Sequence, residues 1–144
     1  MGGGIGTDIV SVPRIAGLIR ARGAVFLERW FTAREIDYCS RKSVPSRHFA
    51  ARFAAKEAVV KALPVPWDGP LPWRSIEIIA DSHGAPSVIL SGAILDAATR
   101  AGVGDITTSL SHCDEYATAI ALAAVTRGSD DGSASTAARR ERDQ

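Results

Sequence analysis

Four charged side chains stand on one otherwise apolar stretch of this chain: Phe49-Ala-Ala-Arg52-Phe-Ala-Ala-Lys56-Glu57-Ala-Val-Val-Lys61-Ala-Leu63. Wound at about 100° per residue, Phe49, Phe53 and Val60 form one apolar stripe, with Val59 and Leu63 beside it. Ala51, Ala55, Ala58 and Ala62 form a second face, small enough for another element to approach closely. Arg52 and Lys56 are four apart and share a side; Glu57 and Lys61 share another. A glutamate followed by lysine at i+4 is also the ordinary helix-stabilising pair, worth about 0.2–0.5 kcal/mol. From spacing alone that local pair is the commoner reading; the near-absence of other polar residues on a helix apolar on two sides weighs against it and suggests an anionic ligand and a metal as the alternative. Asp8 is the second carboxylate of interest. A lone aspartate near a strand end commonly caps or turns. Set beside Glu57, it makes a two-carboxylate site, and Mg²⁺ takes one or two carboxylates plus substrate phosphates.

The elements that must position these groups can be read from the pattern. Residues 4–10 read as a strand, with Ile5 and Ile9 on one side and Asp8 on the other. Ser11 caps a helix that has Pro13 in its first turn and Gly23 at its end. Residues 24–31 read as a short helical piece, and Thr32-Ala-Arg-Glu35 is a capping box opening a helix to about Arg41. Ser46 is expected to cap the longest helix, which runs through Leu63 and stops at Pro64. A proline-rich loop carrying Trp67 and Trp73 follows; these indoles either cap the core or cover a ligand pocket. Residues 75–80 and 87–90 form strands around a turn at Asp81-Ser-His-Gly84. Ser91 opens a helix ending at Gly102 or Gly104. Residues 106–112 and 116–125 form a closing hairpin. Helices and hairpins alternate without a β-α-β-α rhythm, which predicts an α+β fold: a small antiparallel sheet packed with a long central helix.

Bulk properties narrow the classes. The 144 residues carry 46% hydrophobic and 23% charged residues and a formal net charge of +1. That balance suits one globular domain, here residues 1–126, and gives no global attraction to nucleic acid or an anionic membrane. Residues 127–144 lack aromatic and large aliphatic side chains and are expected to be a disordered polar tail. No apolar run reaches membrane-spanning length, and the start is unlike a signal peptide. Cys39 and Cys113 are expected to be free thiols in a reducing cytoplasm. His48, His83 and His112 lack metal-ligand spacing; His48 reads as a polar residue of a first helical turn and His83 as a turn residue. Ser111 and His112, adjacent on a strand, face opposite sides and are not a nucleophile-base pair.

Three segments together resemble the holo-acyl-carrier-protein synthase family of 4'-phosphopantetheinyl transferases. They are Gly4-Ile-Gly-Thr-Asp8-Ile-Val-Ser-Val-Pro-Arg14-Ile, Arg52-Phe-Ala-Ala-Lys56-Glu57-Ala-Val-Val-Lys61-Ala, and Ser109-Leu-Ser111-His112 followed by Tyr116-Ala-Thr-Ala. The resemblance implies the transferase fold and a reaction moving the 4'-phosphopantetheine arm of CoA onto a serine of an apo acyl carrier protein. It implies Mg²⁺ held by Asp8 and Glu57, and Lys61 on the pyrophosphate, these three being the catalytic residues. Arg52 and Lys56 would bind phosphates of CoA, the 3'-phosphate included. Ser111, His112, Gly84 and Pro86 would lie against its nucleotide end. Arg14, with Arg20 or Arg22, would dock the acidic helix of a fatty-acid or polyketide carrier protein. A homotrimer with shared active sites is also implied. The chemistry agrees: charge develops on a leaving phosphate, so cations and a metal are what the transition state needs. The serine proton would go to Glu57 or to a metal-bound water.

Overall fold

Two glycines of the first strand decide what packs against it. The computed structural model describes residues 2–126, and the polar tail expected at 127–144 lies outside them. Strand β1 (Gly2–Ser11) presents Gly4 and Gly6 to helix α4 (Pro45–Ala62). A Cβ on Gly4 would sit 1.7 Å from the Ala62 carbonyl oxygen, and one on Gly6 would sit 1.9 Å from that of Ala58. Strand and helix backbones therefore touch directly. Strand β5 (Tyr116–Val125) continues this surface, burying Ala117, Ala119, Ala121 and Ala123 in strict alternation. The small-residue face expected on the helix meets a small-residue sheet.

The main sheet has the order β1-β5-β4, all antiparallel, with β4 spanning Val103–His112. In its register Asp8 pairs with Ala119, and Ala119 with Leu110. Strands β2 (Ile76–Ala80) and β3 (Pro86–Leu90) form a separate two-stranded antiparallel sheet. The α+β expectation holds, with the helix central as expected.

The caps mostly follow the sequence. The Ser11 hydroxyl accepts from the Arg14 amide at the start of α1 (Val12–Arg22), and Gly23 ends that helix with a φ of 52°. After α2 (Ala24–Trp30), Thr32 and Glu35 close a complete capping box on α3 (Ala33–Ser40). One start is corrected: α4 begins at Pro45, with Val44 rather than Ser46 in the cap position and no side-chain cap bond. Proline satisfies a first helical position because it has no N–H to orphan. Helix α5 (Gly92–Arg100) starts after Ser91, whose hydroxyl makes no cap bond, and ends before Gly102. Helix α4 buries residues all round, and Phe31, Phe49, Val59, Ile76 and Ile78 fill the core beside it. No helix among the described residues is long and apolar enough to cross a membrane.

Candidate active site

Asp8 lies on the inner side of β1, on the same parity as Gly4, Gly6 and Val10. Because the glycines bring the strand onto α4, Lys61 reaches it: its Nζ donates to Asp8 Oδ1 at 3.0 Å and to the Thr7 carbonyl at 3.0 Å. Lysine therefore pairs across to the strand, where spacing alone also allowed a local pair with Glu57. Glu57 is half-buried, and its carboxyl is pushed up from the usual range by burial first and by the charge of Asp8 second, with Lys61 opposing. The two carboxylates thus stand within electrostatic reach, and ionising both costs energy that a cation would return. Among the described residues no group of three or more His, Cys, Asp or Glu side chains gathers to hold a metal alone. Two carboxylates with one lysine suit a hard divalent ion that takes its remaining oxygens from phosphates and water.

A second feature lies on the far side of α4. A cavity of about 170 Å³ is lined by Tyr38, His48, Arg52, Gly84, Pro86, Leu110 and His112, among others. Arg52 is almost wholly buried; its Nε donates to the Ile78 carbonyl at 3.3 Å and its guanidinium lies 4.1 Å from the centre of the Tyr38 ring. Lys42 Nζ stands 4.3 Å from the same ring. His48 and His112 meet edge to face at 5.2 Å. Burial lowers the His48 pKa, and the charges of His112, Lys42, Arg52 and Arg47 lower it further. Arg47 is in turn paired with Asp114 in the β4–β5 turn. Gly84 has a φ of 83° in a turn held by Asp81, whose Oδ1 accepts from the His83 amide at 2.8 Å and the Ala85 amide at 2.9 Å. The result is a cationic pocket with an aromatic floor, suited to a phosphate attached to a planar ring. Asp8, Ala119 and Leu110 form one row across the sheet, so the backbones of Asp8 and of Leu110 in the pocket wall are about 10 Å apart, two strand spacings.

A family model described as the 4'-phosphopantetheinyl transferase superfamily matches residues 4–121, a span holding both features. The chain belongs to that superfamily. It is similar to the holo-acyl-carrier-protein synthase of Protochlamydia amoebophila, at 42% identity over 121 residues, covering 83% of this chain and 95% of that one. The crystal structure of the Neisseria meningitidis holo-acyl-carrier-protein synthase matches with a TM-score of 0.76 at 33% identity, covering 84% of this chain and 97% of that one. An ACPS–CoA complex from Chronobacterium ammoniagenes also matches at a TM-score of 0.76, with 29% identity over 88% of this chain and 100% of that one.

For a phosphopantetheinyl transferase, the residues expected to act divide into those the fold gathers and those it does not. Asp8, Glu57 and Lys61 come together at the β1–α4 contact; Arg52, Gly84, Pro86 and His112 come together at the cavity. Lys56 is placed otherwise than expected. Its side chain is 0% exposed and ion-paired with Glu35 at 2.8 Å, so its ammonium faces the core. Ser111 lies on the opposite face of β4 from Leu110 and outside the cavity. Arg14, Arg20 and Arg22 are all exposed on α1. At about 100° per residue Arg22 lies about 80° from Arg14, while Arg20 lies about 120° the other way, so the three do not share one face. Trp73 stacks on Trp30 at 4.3 Å, Trp30 packs on Phe53 at 4.2 Å, and Trp67 donates to the Pro70 carbonyl. Neither Trp67 nor Trp73 lines the cavity, which favours their core role.

The sequence did not single out Tyr38 and His48, which line the cavity, or Lys42, which stands over the Tyr38 ring. His48 stands four before Arg52, on the same side of the helix, which is a spacing that could have found it. Glu35, Tyr38 and Lys42 fall at i, i+3 and i+7, one continuous side of α3 and the turn after it.

Proposed function

We propose that this chain works as a holo-acyl-carrier-protein synthase, moving 4'-phosphopantetheine from CoA to a serine of an apo acyl carrier protein and releasing adenosine 3',5'-bisphosphate. The observation that carries the reading is the Asp8–Lys61 pair at the β1–α4 contact with Glu57 in electrostatic reach, together with the cationic, aromatic-lined cavity on the far side of α4. Arg52, Tyr38, His48 and His112 hold the nucleotide end in that cavity, with Lys42 over the Tyr38 ring. Lys61, half exposed, leaves Asp8 to neutralise the pyrophosphate. Asp8 and Glu57 are the residues that would hold Mg²⁺. The ion, when bound, supplies polarisation of the phosphate and a template for in-line attack. The serine oxygen bonds to the phosphorus carrying the pantetheine arm, and the bond from that phosphorus to the bridging oxygen breaks. The serine proton passes to Glu57 or to a water at the site.

Arg14 and Arg22 offer the basic side of α1 to the acidic helix of a fatty-acid or polyketide carrier protein. The outer face of the main sheet supports the homotrimer. Ile5 and Ile9 remain 64% and 65% exposed, beside Tyr116, Ile120 and Leu122, a patch that a subunit neighbour would cover. Ser111 lies on that outer face, so it would serve a site shared across the interface. Free Cys39 and Cys113 are compatible with work in the cytoplasm.

The direct test is intact-protein mass spectrometry of an apo acyl carrier protein incubated with CoA, Mg²⁺ and this protein. The expected result is a mass gain of one phosphopantetheine arm that disappears with EDTA. No gain across several carrier proteins would overturn the reading.

A further inference from the structure

The two-stranded β2–β3 sheet supplies Gly84 and Pro86 to the cavity, yet it is not hydrogen-bonded into the main sheet. An isolated two-stranded ribbon is marginal by itself, so side chains must hold it. Ile76 and Ile78 pack it on the core, and one wholly buried ion pair grips its backbone. Lys56 and Glu35 side chains are both 0% exposed and meet at 2.8 Å. Lys56 Nζ also donates to the carbonyls of Trp73 at 2.9 Å and Ile76 at 2.6 Å, which uses its three N–H donors. Glu35 Oε2 accepts from the Thr32 amide at 2.8 Å, and Oε1 accepts from the Ile78 amide at 3.0 Å. No buried side-chain nitrogen or oxygen among the described residues lacks a partner. Lys56 therefore has no donor left for a ligand.

The geometry points to Lys56 and Glu35 as positioning residues for the CoA pocket: a buried clasp that holds β2, and with it the Gly84–Pro86 wall, against α3 and α4. Ile78 is the point of grip. Glu35 takes its N–H, and Arg52, which lines the pocket, takes its carbonyl oxygen. Glu77, the next residue back, is held by the Thr32 hydroxyl and by Arg34 at 3.1 Å. The clasp thus sets the distance between Arg52 on the helix and the hairpin opposite it. A buried ion pair contributes little net stability over apolar replacements, but breaking it from one side leaves an uncompensated charge. Its use here is geometric.

This inference rests on the reading of the cavity as a CoA site, and Glu35→Gln separates it from the alternatives. A carboxylate near a phosphate repels it, so removing that charge improves or preserves CoA affinity if Lys56 is itself a phosphate ligand set free. If the pair is a clasp, Glu35→Gln weakens CoA binding at least tenfold by calorimetry, and Lys56→Met weakens it by a similar factor. The double variant is then no worse than the weaker single one. Amide exchange at Ile78, followed by NMR in the full chain, speeds up in each single variant. Unchanged or tighter CoA binding by Glu35→Gln overturns the proposal. So does a loss of thermal stability with CoA affinity kept, which would make the pair structural only. Should the wild-type protein bind no CoA, the functional reading fails while Ile78 exchange still tests the clasp, and unaltered exchange in Glu35→Gln sinks it. Lys56→Met tests the same point where Glu35→Gln does not fold.

Discussion

Lys61 holds Asp8 at 3.0 Å, while Glu57 stands near enough to feel the same aspartate. Each of the three is partly open to solvent, as residues that meet a substrate must be. Asp8→Asn and Glu57→Gln should each reduce transfer by about a thousandfold or more, while the circular dichroism spectrum stays near wild type. Retained rates with Mg²⁺ present would show that the carboxylates are not the metal ligands. The pH dependence follows from the raised Glu57 pKa. Folding shifts this carboxyl upward, so without metal its contribution to stability is fully present below its unfolded pKa. That contribution is lost as pH rises through the folded value. In EDTA, the difference in thermal midpoint between wild type and Glu57→Gln should therefore turn against wild type as pH climbs through the carboxylate range. Mg²⁺ affinity should move the opposite way and rise with pH, because only the ionised pair binds the cation. A flat difference across that range would contradict the burial of Glu57 and its crowding by Asp8.

At the scale of elements, α4 and β1 form the site only because their backbones touch. Gly6 has no room for a methyl group, with the Ala58 carbonyl oxygen 1.9 Å from where its Cβ would lie. Gly6→Ala should cost about 3 kcal/mol in stability by denaturant unfolding, because backbone must shift in a packed core. It should also lower transfer beyond that loss, since Asp8 is two residues away on the same side of the strand. A stable and fully active Gly6→Ala protein would show that the close approach is not required. The same alternation explains the other face of the sheet. With alanines and glycines turned inward, the larger Ile5, Ile9, Ile120 and Leu122 point away from the helix.

For the whole molecule, that outward apolar face is the feature a monomer does not explain. Ile120 lies on the middle strand of this face and is 41% exposed. Ile120→Lys should convert the proposed trimer to monomers by light scattering, with little change in the fold of each chain. It should also reduce transfer, because Ser111 projects from the same face. A wild-type protein that is monomeric at micromolar concentration would remove the trimer from the account.

What the sequence determined by itself is local. The capping box of Thr32 and Glu35, the glycine at the end of α1 and the span of β5 came out as expected, because each depends on neighbours a few residues away. The small-residue face of α4, and the pairing of Glu57 with Lys61 and of Arg52 with Lys56 by side, were legible for the same reason. Only the tertiary structure decided what each side faces. Lys56 and Lys61 are both lysines of one helix, yet one meets Glu35 in the core and the other meets Asp8 at the surface. Their partners come from segments 21 and 53 residues away. A helical period states the direction of a side chain, whereas burial, and with it the choice between clasp and ligand, is set by whatever the rest of the chain packs opposite.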